Sequence, residues 1–133
     1  MINIPDEILK SDSSEISLLC LRKDGIVTLE PKEGETVQTL KSMKMDFEIF
    51  KDWTKNEKLN FLVDSRRLKK FDSELRVFAQ KNSPLFFNKY AIIISSGTSS
   101  FLANIFIHLT KPKIPTKLFT NKTDAINWLK QNN

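Results

Sequence analysis

The sequence is short of the residues that build covalent and metal-bound scaffolds. It has one cysteine, Cys20, and one histidine, His108, in 133 residues. A single thiol excludes a disulfide within the chain and any cysteine-based metal cluster. A single imidazole removes most histidine metal sites and leaves little for acid–base chemistry near neutral pH. With only three glycines and five prolines, collagen-like and low-complexity classes are excluded. No apolar run approaches the roughly 20 residues of a membrane-spanning helix. The opening Met1-Ile2-Asn3-Ile4-Pro5-Asp6-Glu7 lacks the basic start and apolar block of a secretory signal; a cytoplasmic protein is expected.

What is present is a globular composition, 40% hydrophobic and 28% charged, on a length that fits one domain. The formal net charge of +5 is unevenly placed. Residues 1–66 carry ten Lys/Arg against thirteen Asp/Glu, and residues 67–133 carry eleven against three. A basic half attracts nucleic acid, anionic lipid or acidic proteins; the plainer reading is a solvated surface. No aromatic–basic interleaving resembles an RNA or DNA module, which argues against nucleic acid.

Residues 1–14 read as a loosely held lead-in and 15–131 as the domain. Ile16–Leu21 and Ile26–Leu29 are strand-like runs on either side of Lys23-Asp24-Gly25, a strong hairpin signal. From Thr36 the period changes: Val37, Leu40, Met43, Phe47, Phe50 and Trp53 mark one face of a helix of roughly five turns. Leu59–Asp64 is a third strand, apolar enough toward its end to be covered on both faces. Ser65–Lys70 leaves it as a basic loop. Asp72 or Ser73 can cap a second helix, with Leu75, Phe78 and Ala79 on its apolar side, Val77 off it, and an end near Asn82-Ser83-Pro84. Tyr90–Ile94 is the strongest β signal. Ser95–Ser100 follows, rich in turn formers, and Phe101–Leu109 reads as an unusually apolar helix. Lys117–Phe119 is a short last strand, and Asn121 with Asp124 caps a terminal helix carrying Ala125, Ile126, Trp128 and Leu129. The order is β-β-α-β-α-β-α-β-α. Right-handed crossovers then give an α/β single domain with a mixed sheet of about five strands, an opening antiparallel hairpin and helices packed on the sheet.

This order resembles the STAS fold, in particular the uncharacterised SpoIIAA-like (STAS-like) proteins. The likeness is carried by the hairpin, by Leu62-Val63-Asp64, by Ala91-Ile92-Ile93-Ile94, and by Pro115–Phe119 followed by Asp124–Leu129. It implies a regulatory or ligand-binding module without chemistry of its own. Anti-sigma-factor antagonists of this fold carry an Asp-Ser-Ser-Gly motif after the third strand, whose second Ser a partner kinase phosphorylates. Here the segment is Asp64-Ser65-Arg66-Arg67, with Arg66 at the phosphoacceptor position and no glycine.

Two constellations are candidates for function. Ligands of open α/β sheets collect beyond the carboxyl ends of parallel strands. If the strands ending at Asp64 and Ile94 are neighbours, the residues gathered there are Asp64, Ser65, Arg66, Arg67, Ser96, Thr98, Ser99 and Ser100. Guanidinium groups beside a hydroxyl-rich helix N-terminus suit an anion, a phosphate-bearing ligand or an acidic partner loop; a capped helix beside a solvated loop is the plainer alternative. The helix at 101–109 carries more apolar residues than one stripe needs. Phe101, Ile105, Phe106 and Leu109 are interface candidates, the alternatives being deep core, a homodimer patch or a lipid-facing wall. His108 reads as a hydrogen-bonded or exposed group, and Cys20 as a small buried hydrophobe. Asp64 could act as a base, but no second group stands at a defined spacing. The expected function is therefore a non-catalytic regulatory or protein-interaction module, with a homodimer or other protein partner and no cofactor. A small-molecule carrier for an anionic or lipid-like ligand is the alternative, and an enzyme the least favoured reading.

Overall fold

The computed structural model describes residues 8–14, 16–32, 38–66, 73–95 and 113–131. The hairpin forms where Asp24-Gly25 calls for it. Gly25 takes a φ of 79°, in the left-handed region that favours glycine. It joins β2 (Ser17–Arg22) to β3 (Ile26–Pro31) with Leu19 opposite Leu29 and Leu21 opposite Val27. Ahead of them, Ile8–Ser13 is β1, an antiparallel edge strand on β2. This corrects the expected lead-in where it covers Ile8–Ser13, and the described residues form six strands where about five were expected. β1 has little alternation to read. It is held by backbone pairing, and its residues stay largely exposed.

After the hairpin every sheet neighbour is parallel: β3 to β4 (Leu59–Asp64), β4 to β5 (Phe87–Ile93), and β5 to β6 (Thr116–Phe119). The sheet order is therefore β1-β2-β3-β4-β5-β6, the mixed sheet expected from right-handed crossovers. Three helices lie among the described residues: α1 (Leu40–Trp53), α2 (Ser73–Phe86) and α3 (Lys122–Lys130). α1 starts later than its apolar stripe suggested because Thr39 is its cap. The Thr39 side chain accepts from the Ser42 N–H at 3.1 Å and the Ser42 hydroxyl from the Thr39 N–H at 3.0 Å, which closes a capping box. α2 runs past its expected end, through Pro84 to Phe86. β5 then starts at Phe87, ahead of the expected Tyr90.

Period-two alternation divides the core between the two sheet faces. Leu19, Leu21, Val27, Leu29, Phe61, Val63 and Phe87 face Met43, Phe47 and Phe50 of α1 and Leu75 of α2. Aromatic rings dominate this layer. Phe61 stacks on Phe87 with centroids 4.4 Å apart and on Tyr90 at 5.2 Å, and Phe50 meets Phe47, Phe61 and Phe87 edge-on. Each such pair adds about 0.5–1.5 kcal/mol to plain burial. Burial also pushes the Tyr90 hydroxyl's pKa well above its ordinary value. On the other face Ile26, Leu62, Ala91 and Ile93 receive Ala125 and Leu129 of α3. Val77 stays exposed on α2, off the apolar stripe as its spacing implied.

The end of α3 is tied to the sheet by polar side chains. A register irregularity at the start of the β4–β5 pairing leaves Asn60 opposite Lys89. The Asn60 amide donates to the Leu129 carbonyl at 2.9 Å, and the Lys89 ammonium donates to those of Trp128 and Gln131 at 3.2 and 2.8 Å. Lys89 is 8% exposed and lies 5.1 Å from the centroid of the Trp128 ring. A cation at this position satisfies the last carbonyls and the helix dipole together.

Candidate functional site

The carboxyl ends of β3, β4, β5 and β6 open on one rim. The parallel register sets Asp64 beside Ile93, and the Ser65 N–H donates to the Ile93 carbonyl at 2.9 Å. The neighbouring strands that the rim requires are therefore in place. Asp64 follows Leu62 by two residues and so belongs to the α3 side of the sheet. Glu30 stands at the end of β3 on the same side, and Lys122 opens α3. Asn121 caps that helix, its side-chain oxygen accepting from the Asp124 N–H at 2.9 Å as the sequence implied.

The rim side chains are engaged with one another. The Arg66 guanidinium clamps Asp64, Nε to Oδ1 at 2.9 Å and Nη2 to Oδ2 at 2.6 Å, and the Arg66 N–H also donates to Oδ1 at 3.1 Å. Hydrogen bonding and charge from Asp64 raise the guanidinium's pKa further, with a smaller contribution from Glu30. Lys122 pairs with Glu30 at 3.4 Å. The Ser65 hydroxyl donates to the Ile93 carbonyl at 2.8 Å, so its proton has a structural use. The result is a mosaic of paired charges. The Arg66 and Asp64 side chains are 47% and 20% exposed, and those of Lys122 and Glu30 are 48% and 45% exposed.

Asp64, Ser65 and Arg66 are thus brought together. Arg67, Ser96, Thr98, Ser99 and Ser100 lie outside the described residues, as do the interface candidates Phe101, Ile105, Phe106 and Leu109, and His108. Among the described residues, Glu30 and Lys122 join the rim and were missed, because only the sheet order brings residues 30, 64 and 122 to one edge. Cys20 is half-buried rather than fully enclosed, on the opposite face of β2 from Leu19 and Leu21. Among the described residues, no group of three or more His, Cys, Asp or Glu is placed to hold a metal ion. No helix among them is long and apolar enough to cross a membrane.

A second polar cluster was not anticipated. Asp46 of α1 is fully buried, with its carboxylate accepting from the hydroxyl of Ser14, from Ser17 Oγ at 3.4 Å and from Gln38 Nε2 at 3.3 Å. Burial raises its pKa, and the hydrogen bonds from Ser14, Gln38 and Ser17 offset part of that rise. The signal was present in the spacing, since Asp46 falls between Met43 and Phe50 on the buried face of the helix. Its ties to Ser14 and Ser17 fasten the β1–β2 connection to α1.

The architecture is that of a SpoIIAA-like α/β domain. An uncharacterised protein of the DUF3478 family from Shewanella loihica PV-4, described as having a SpoIIAA-like fold, superposes with a TM-score of 0.56 at 14% identity, over 97% of this chain and 98% of that one. The chain itself belongs to the family DUF7793, a domain of unknown function, which matches residues 19–133. A protein of unknown function from Arthrobacter sp. FB24 is 26% identical over 84% of this chain and 96% of that one, with a TM-score of 0.31. No curated protein matches the chain.

Proposed function

We propose that this domain is a non-catalytic regulatory or protein-interaction module of STAS type, acting in the cytoplasm and reading a protein partner through the strand-end rim. One observation carries the reading: Asp64–Arg66 and Glu30–Lys122 form partly exposed ion pairs at the rim of adjoining parallel strands. Alternating charges at fixed positions suit recognition of a complementary charged surface, where they set register and partner choice. With an arginine at the phosphoacceptor position, held on Asp64, the rim is a constitutive recognition surface. An anion carrier is the less favoured reading, because the Asp64 carboxylate already offsets the Arg66 charge at the rim.

The test is quantitative co-purification with wild-type protein and with the double variant Arg66→Glu, Lys122→Glu. Charge reversal turns both pairs into like-charge contacts, so partner recovery is expected to fall by at least about tenfold. A melting curve controls for folding. Equal recovery by a folded double variant would contradict the proposal. So would native mass spectra in which the wild type retains a small molecule and no protein.

A further inference from the structure

We infer that the outer edge of β1 is a self-association surface at which a second copy of this chain adds its own β1 in antiparallel register about Ser11. This goes beyond the rim reading and is independent of it. Among the described residues the sheet ends at β1, which leaves one row of its backbone donors and acceptors without a strand partner. Such an edge is a template for another strand unless its side chains forbid pairing. Here the side chains select one pairing. Lys10 and Asp12 are both exposed, pair directly with Leu21 and Leu19 of β2, and so lie on the same sheet face as those two and as each other. A two-fold centred on Lys10 would set Lys10 against its own copy, and one centred on Asp12 would oppose two carboxylates; like charges directly opposite disfavour both. Centred on Ser11, the two-fold places Lys10 of each copy opposite Asp12 of the other. The pairing then carries two cross-strand ion pairs, with the small Ser11 at the centre.

Regular pairing of β1 with β2 runs from Lys10 to Ser13, and Ser13 lies opposite the 47% exposed Leu18. The irregularity between Ile8 and Lys10 limits regular pairing to a short ladder, so the association is reversible and concentration-dependent. Because the two-fold is perpendicular to the sheet, the faces covered by α1 and α2 lie on the same side in both copies.

Sedimentation velocity over a concentration series tests this, with Lys10→Asp, Asp12→Lys and the double exchange. Wild type is expected to move from monomer to dimer. Each single variant is expected to weaken the dimer by at least about tenfold, and the double exchange to restore it. In a Cys20→Ser background, Ser11→Cys is expected to give a disulfide-linked dimer on mild oxidation, since directly opposed strand residues lie within disulfide reach. All changed residues apart from Cys20 are exposed, and melting curves verify folding. A wild type that stays monomeric to its solubility limit would overturn the inference. So would single variants that dimerise like wild type, or a double exchange that does not recover.

Discussion

Replacing Asp46 separates the two physical roles of a buried carboxyl. The group is fully buried in α1 and is met by neutral donors, Ser14, Ser17 and Gln38. In Asp46→Ala those donors lose their acceptor. Each orphaned buried group costs about 1–3 kcal/mol, but the serine hydroxyls can turn toward other acceptors, so the expected total is about 2–4 kcal/mol. For a domain of this size that is a fall in melting temperature of about 8–16 °C. In Asp46→Asn the amide oxygen still accepts from Ser14. The amide nitrogen can donate to Ser17, and Gln38 can turn its own amide to accept. The variant should stay within about 1 kcal/mol of wild type at neutral pH. The pH dependence carries the sign. Burial raises the folded-state pKa of Asp46 above the ordinary 3.8, so the folded chain holds this proton more tightly than the unfolded one. Its stabilising contribution is full below that ordinary value and is lost as pH rises through the folded pKa. The stability difference between Asp46→Asn and wild type, measured by urea unfolding, should therefore shift in favour of Asp46→Asn as pH rises from about 4 to 7. If Asp46→Asn is as damaged as Asp46→Ala, and the difference between Asp46→Asn and wild type is flat with pH, the reasoning is wrong.

Three further substitutions probe local devices. Gly25→Ala should cost about 1–2 kcal/mol through backbone strain at positive φ; the added Cβ would meet only Leu59 Cδ2 at an ordinary 3.8 Å, so Gly25→Asn should recover part of the loss in the same melt, and an equal loss for both would point to crowding instead. Lys89→Met removes the ammonium from the Trp128 and Gln131 carbonyls and should lower unfolding free energy by about 1.5–3 kcal/mol; an unchanged urea midpoint would show that the α3 end does not depend on it. Asn121→Ala should cost about 1 kcal/mol through the lost cap, read as lower helix content and an earlier melt, and no change would mean that water replaces the cap.

The strands and helices with strong periodicity were legible: Leu59–Asp64 from its continuous apolar run, the β2–β3 hairpin from Asp24-Gly25, and α3 from Asn121 and Asp124. Adjacency of the strands ending at Asp64 and Ile93 stood as a condition of the rim, and the parallel β4–β5 pairing meets it. What escaped the sequence had physical reasons. β1 is an edge strand that buries little, so Lys10-Ser11-Asp12-Ser13 carries no alternation to read. The start of β5 was hidden because Lys89, a residue ordinarily at the surface, turns inward to bind the end of α3. Pro84 signals a helix stop, yet the helix continues for two more residues, with Ser83 buried. At the rim, Asp64, Ser65 and Arg66 were found from strand-end logic alone. Glu30 and Lys122 required the full sheet order, and the capture of Arg66 by Asp64 required side-chain geometry that no spacing encodes.

The most direct measurement is amide hydrogen exchange of the domain alone and with its co-purified partner. New protection is expected to concentrate at Glu30–Lys32, Asp64–Arg66 and Thr120–Lys122, the backbone around the two ion pairs. Protection confined to the outer faces of α1 and α2, with the rim exchanging as in the free protein, would contradict it.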